Sequence, residues 1–145
     1  MANSTSLQTL VDGPRNVVVK FEGVLDTSDL SSTVVLDPAS LSDMNINGQK
    51  ATRLAITKIT FNVEDTLSVN LFWDATTPVR IEELVGRGKM EHFKFGGIKN
   101  SAGTWGTDGS FTPNAGFTGK ITATTQGWAA SAVLSFSVVI ECVKQ

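Results

Sequence analysis

The sequence predicts an all-β chain, folded as one antiparallel β-sandwich. Three observations carry this. Runs of alternating apolar and polar residues recur along the chain, with turn-forming residues between them every 8–12 positions or so. No segment sustains a helical period. Charged residues make up only 18% of the 145 residues while Ser and Thr fill the outward positions, as suits a β surface. About eight strands are expected. A jelly roll is the first choice of topology, an immunoglobulin-like order the second and a single-layer barrel the third.

The last run, Ser131 to Val143, is the clearest. Leu134, Phe136, Val138, Ile140 and Cys142 share one face, and Val133, Ser135, Ser137, Val139 and Glu141 the other. A strand this long and apolar needs cover on both edges, so it is expected at the centre of a sheet. Its second face carries more valine than a plain solvent face would. Cover is therefore expected there too, from the second sheet's edge, a loop or a neighbouring subunit.

Taken in order, residues 1–12 read as a flexible, polar N-terminal arm, with Leu7 and Leu10 as its large apolar groups, and residues 13–145 as the sandwich domain. Gly13-Pro14 is a turn. Val17, Val19, Phe21 and Leu25 form the inner face of a strand ending at Asp26. Ser32 to Leu36 is a short strand stopped by Asp37-Pro38, with one helical turn expected after it. Asn47-Gly48 is a turn dipeptide. From Ala51 to Val63 the inward parity changes midway, from Leu54 and Ile56 to Ile59, Phe61 and Val63. One extra residue near Thr57-Lys58, a β-bulge, reconciles the two; a strand buried on different faces along its length is the alternative.

Leu67, Val69, Leu71 and Trp73 make the next inner face. Val79 to Val85 is a strand, Gly86 to Gly88 ends it, and Gly86-Arg87-Gly88-Lys89 reads as a basic turn. Met90 to Phe95 is a strand holding His92. Residues 96–116 show no period and read as a long loop carrying Trp105 and Phe111. A loop of that length in a compact domain usually has a job or a cover. Phe117 to Thr124 is a strand, and Gln126-Gly127 begins the connection to the final one.

Composition narrows the function classes. A net charge of −2 without a basic block speaks against nucleic acid. No apolar run approaches the roughly 18 residues of a membrane helix. The N-terminus lacks the basic-then-apolar order of a signal peptide, so synthesis in a cytoplasm is expected. The one cysteine, Cys142, allows no intrachain disulfide, and on an inner face it reads as inert packing. One His and one Cys make none of the usual zinc sets. Asp26 with Asp29, or Asp108 with Asn100, are the oxygen pairs weighed for calcium, and solvated turns are the simpler account. Glu82 and Glu83 are adjacent on a strand and so point to opposite faces, unlike a glycosidase pair. No catalytic, cofactor or metal residues are expected.

The aromatic residues are sorted by setting. Phe21, Phe61, Phe117, Phe136 and Trp73 fit core faces. Trp105 and Trp128 lie in Gly- and Ser-rich connections, where they could cap the sandwich, anchor a protein interface or stack on sugars. Leu7, Leu10, Trp105, Phe111 and Trp128 are the candidate partner-interface residues.

A resemblance rests on segments that follow one another in order: Leu71-Phe72-Trp73-Asp74-Ala75-Thr76, Phe95-Gly96-Gly97-Ile98, Thr118 through Thr125 (TGKITATT) and the ending Ile140-Glu141-Cys142-Val143-Lys144. Over about residues 51–145 the chain resembles small virion structural proteins of tailed bacteriophages, of the head decoration or cement type. It departs from their pattern at Lys120, where they carry an acidic residue, and near Phe136, where they often have Tyr. The resemblance implies a jelly-roll capsid-surface protein without catalytic residues. It implies major capsid protein subunits as partners and self-association, plausibly as a trimer. The alternative is a carbohydrate-binding module or a fibre or tail component that uses the loop tryptophans.

Overall fold

The computed structural model describes residues 2–93 and 96–145. Eleven strands occur among them: β1 (Ser4–Asp12), β2 (Asn16–Leu25), β3 (Thr33–Leu36), β4 (Leu54–Val63), β5 (Ser68–Trp73), β6 (Val79–Leu84), β7 (Arg87–Glu91), β8 (Gly103–Trp105), β9 (Phe111–Pro113), β10 (Ile121–Gln126) and β11 (Leu134–Lys144). A five-stranded sheet, ordered β1-β2-β11-β4-β7, faces a four-stranded one, ordered β3-β10-β5-β6, and β8 pairs with β9 as a separate hairpin. All pairings are antiparallel.

Eight of these strands make a jelly roll. If the chain from β2 to β11 is laid out as one long hairpin, β2 meets β11, β3 meets β10, β4 meets β7 and β5 meets β6. Rolling that hairpin adds the pairings of β11 with β4 and β10 with β5, and closes both sheets around one core. The strands β1, β8 and β9 are additions to this frame.

The alternating faces explain the core. Val17, Val19, Phe21 and Leu25 of β2, Phe136, Val138, Ile140 and Cys142 of β11, and Val69, Leu71 and Trp73 of β5 are all buried in one cluster. Each such aliphatic or aromatic side chain removed from water stabilises the fold by about 1.5–3 kcal/mol. β11 lies between β2 and β4, at the centre of its sheet as its pattern predicts. The bulge stands where expected. Lys58 is opposite Glu141 and Ile56 opposite Cys142, so Thr57 has no partner residue in the register. Its hydroxyl donates to the Glu141 carbonyl (3.1 Å). The expected helical turn is a single 3-10 turn over Pro38–Ser40, capped by the Asp37 side chain, which accepts from the Ala39 amide.

Several expectations are corrected. The segment expected as an arm is strand β1. The Gly13-Pro14 turn returns the chain along β2, with the Gly13 amide donating to the Asn16 carbonyl (2.9 Å) and the register running from Ser4 opposite Val24 to Asp12 opposite Val17. The basic turn at 86–89 reduces to Val85-Gly86. Gly86 takes φ +73°, which suits glycine, and Arg87 to Lys89 already pair with β4. His92 therefore follows β7 rather than lying within a strand. Phe95, the expected end of that strand and part of one resemblance segment, lies outside the described residues. The long loop contains the β8–β9 hairpin, which depends on Gly103 because a side chain there would strike the Phe111 ring. Strand β10 starts only at Ile121, since Phe117 closes a turn by donating its amide to Asn114.

Candidate interaction surfaces

The five candidate interface residues fall in three places. Trp105 and Phe111 are in the hairpin that precedes β10, and Trp128 follows β10, so they sit at opposite ends of the sandwich. Leu7 and Leu10 lie on β1, along one edge.

At the first end β8, β9 and the turn from Asn114 to Phe117 carry an aromatic stack. The Trp105 and Phe111 rings are 4.9 Å apart between centroids, and Phe111 and Phe117 are 5.2 Å apart. Lys99 Nζ lies 4.7 Å from the Trp105 ring centre, and Arg53 Cζ lies 5.2 Å from Trp105 and 4.8 Å from Phe111. The indole Nε1 donates to the Asn100 carbonyl (2.9 Å). Trp105 and Phe111 are half-buried here, which is the arrangement of a cap. Phe117, expected in the core, is likewise half-buried at this stack. Arg53 and Lys99 are the missed members. They are scattered charged residues in sequence, and only the fold brings them to the tryptophan.

At the other end Trp128 is half-buried and packs against the core. Its indole Nε1 donates to the Ala132 carbonyl and its amide to Asp29 Oδ1, each at 3.0 Å. Asp29 also accepts from the Thr125 hydroxyl (3.2 Å), so this carboxylate serves a turn. Asp108 does the same for Ser110, and Asn100, fully buried, for Ala102. No group of three or more His, Cys, Asp or Glu suited to a metal occurs among the described residues.

β1 is exposed on all nine residues. It belongs to the five-stranded sheet, and the four-stranded sheet supplies nothing opposite it. Leu7, Leu10 and Val11 are 48%, 53% and 47% exposed. Both ends of the strand are tied down. Asn3 Oδ1 accepts from the amides of Asp26 (2.8 Å) and Thr27 (3.0 Å), and its Nδ2 donates to Ser28 O (3.0 Å). At the other end Asp12 meets Lys144, whose Nζ donates to Asp12 Oδ1 (2.8 Å), Ser42 O (2.7 Å) and Ser42 Oγ (3.1 Å). Burial pushes the Asp12 carboxyl up. Hydrogen bonds from Lys144 and Ser42 and the Lys144 charge outweigh that and hold it below its ordinary value.

The outer face of the five-stranded sheet holds two adjoining hollows. One, of about 670 Å³, runs between Glu22, Asn62, Glu64, Arg87, Ser135 and Ser137; the other, of about 410 Å³, shares Asn62, Arg87 and Ser137 and adds Val139. Val139 and Val143 are half-buried on this face, and Val143 also borders Pro14, Arg15 and Met44 from two loops. Glu22, Ser135 and Ser137 were legible as outward positions; Arg87 was not, because it read as part of a turn.

Cys142 is 2% exposed on the inner face of β11, and burial, with a smaller push from Glu141, raises its thiol far above the ordinary range. A thiol reagent at pH 8 is expected to leave it unmodified in the folded protein and to modify one thiol per chain in denaturant. Rapid native-state labelling would contradict this placement.

No protein-family model matches the chain, and no curated protein matches it. A solved structure described as "CBM4 structure and function" aligns over 97% of this chain and 94% of its own, with 8% identity and a TM-score of 0.36. A likeness that faint carries no argument about ligand or role.

Proposed function

We propose that this protein is a non-enzymatic structural component of a bacteriophage virion, a decoration or cement protein on the head surface. In this reading it binds major capsid protein subunits after assembly and self-associates, a trimer being the arrangement that the resemblance implies. The observation that carries the reading is β1, an anchored strand with three exposed apolar side chains and no second sheet to cover it. Burying a leucine against a neighbour contributes about 1–2 kcal/mol, and many copies on one lattice multiply weak contacts into a stable shell. Purified protein added to emptied or expanded heads is expected to bind them and to raise their resistance to heat. Replacing both Leu7 and Leu10 with Asp is expected to abolish that binding without unfolding the sandwich. Purified particles that contain no copies of the chain would overturn the proposal.

Carbohydrate binding is the second reading, and one observation favours it: the 670 Å³ hollow, lined by hydroxyl, amide, carboxylate and guanidinium groups. It would place the glycan on the sheet face rather than on tryptophans. Trp105 and Trp128 cannot form one platform from opposite ends, and both indole N–H groups are spent within the chain. Glycan-array binding lost on Asn62→Ala but kept on Trp105→Ala would favour this reading over the first.

A further inference from the structure

The two sheets have four edges, and three of them are guarded against strand addition. β7 carries Arg87, Lys89 and Glu91. β6 carries Arg80, Glu82 and Glu83, and its register with β5 is broken beside Ile81. β3 is four residues long and runs into Asp37-Pro38. These are the usual devices against edge-to-edge pairing. β1 shares only one of them, a register irregularity between Thr9 and Val11 near its end. It is nine residues long, uncharged from Ser4 through Val11, and without proline. Its single charge, Asp12, is engaged by Lys144.

We infer that the free edge of β1 pairs with β1 of a second copy of this chain. The pairing is antiparallel about a two-fold axis at Leu7, and it joins two five-stranded sheets into one. The inference takes up the same strand as the head-binding proposal but does not depend on heads being the partner. Its warrant is the self-complementarity of the strand. A two-fold axis normal to the sheet keeps every side chain on its own face, so one residue must stand opposite itself. With Leu7 at the axis, Leu7 meets Leu7, Thr5 meets Thr9 and Ser6 meets Gln8. From Thr5 to Thr9 leucine meets leucine, threonine meets threonine, and no charge stands opposite a like charge. Moving the axis to Ser6 or Gln8 sets Leu7 against a threonine. The irregularity between Thr9 and Val11 leaves Ser4 to Thr9 as the regular stretch, and the axis at Leu7 keeps the pairs from Thr5 to Thr9 within it. Leu7 lies opposite Phe21, on the core-bearing face, where β1 has no cover of its own. In the pair the two Leu7 side chains cover each other. The contact is isologous and closes at two copies, an assembly distinct from the trimer of the resemblance.

The test uses the full chain. Sedimentation equilibrium across a concentration series is expected to show a monomer–dimer equilibrium. Leu7→Lys, which sets two ammonium groups face to face, is expected to weaken it on the order of 100-fold. The melting temperature measured below the dissociation constant should stay unchanged, since residue 7 is exposed in the monomer. Opposite residues in such a pair stand about 4.5–5.5 Å apart at Cβ, and a disulfide, which needs about 3.5–4.5 Å, forms once the two strands draw slightly together. In a Cys142→Ala background, Leu7→Cys is expected to oxidise to a covalent dimer. Ser6→Cys should do so only when mixed with Gln8→Cys. A chain that stays monomeric at every concentration overturns the inference, whether or not it binds heads. So does a trimer, and so does a dimer indifferent to Leu7→Lys.

Discussion

Replacing Asp12 with alanine is expected to lower the folding free energy by about 3 kcal/mol, more than the reverse change at Lys144. The asymmetry comes from burial. The Lys144 side chain is 0% exposed and the Asp12 side chain 27%. Without Asp12, an ammonium remains enclosed with only the carbonyl and hydroxyl of Ser42 as acceptors. Those two acceptors place the loss at the lower end of what orphaning a buried charge costs, about 3–5 kcal/mol. Asp12→Ala also removes the bonds that the carboxylate accepts from the Ser42 amide (2.9 Å) and hydroxyl (2.8 Å), so β1 and the 37–50 loop lose their shared anchor. Lys144→Met leaves a carboxylate that water can reach, and is expected to cost only about 1 kcal/mol. The double variant should resemble Lys144→Met. Denaturant unfolding of all four proteins gives the cycle, and equal losses in the two single variants would contradict it.

The same pair sets an acid limit. Asp12 is held below its ordinary value of 3.8 in the fold, so the unfolded chain takes up the proton first as pH falls. Its contribution is therefore whole above that value and is lost as pH drops through the lower folded value. Stability between pH 4 and pH 2 should fall more steeply in the native protein than in Asp12→Asn.

This anchor shows where sequence reading reached and where it stopped. β2, β4, β5 and β11 were legible because each buries one face, and a strand with one buried face writes a period of two into its residues. The bulge at Thr57 was legible for the same reason, as a break in that period. β1 was not. Exposed on both faces, it has no side to mark with apolar residues, and what makes it a strand is the hairpin with β2 and the ties at Asn3 and Asp12. β8 and β9, three residues each, are too short to show a period. The candidate surface was legible in part. Leu7, Leu10 and the loop aromatics announce themselves by type. Arg53 and Lys144 do not, because what distinguishes them is a neighbour tens of residues away in the chain, and Lys99 meets Trp105 only through the fold of the aperiodic segment between them.

Trp73→Ala is expected to be the most damaging single core change, costing about 4 kcal/mol. Trp73 is 0% exposed and ends the inner face of β5, between Ile121 of β10 and Val79 of β6. Alanine there opens a cavity that two paired neighbours hold from collapsing. In a domain of this size the melting temperature should fall by about 10 °C or more. Trp73→Phe separates volume from hydrogen bonding. The indole Nε1 is buried and has no acceptor among the described residues. Phenylalanine loses part of the ring volume but also removes that unpaired donor, which offsets about 1–3 kcal/mol of the cavity cost. The two variants should therefore differ by more than ring size alone implies, with Trp73→Phe staying within about 1 kcal/mol of the native protein. If Trp73→Phe were as damaging as Trp73→Ala, the indole N–H would have to hold a partner in solution. The emission of Trp73 itself, taken as native protein minus Trp73→Phe, would then lie to the red of that expected for a buried indole without a polar partner.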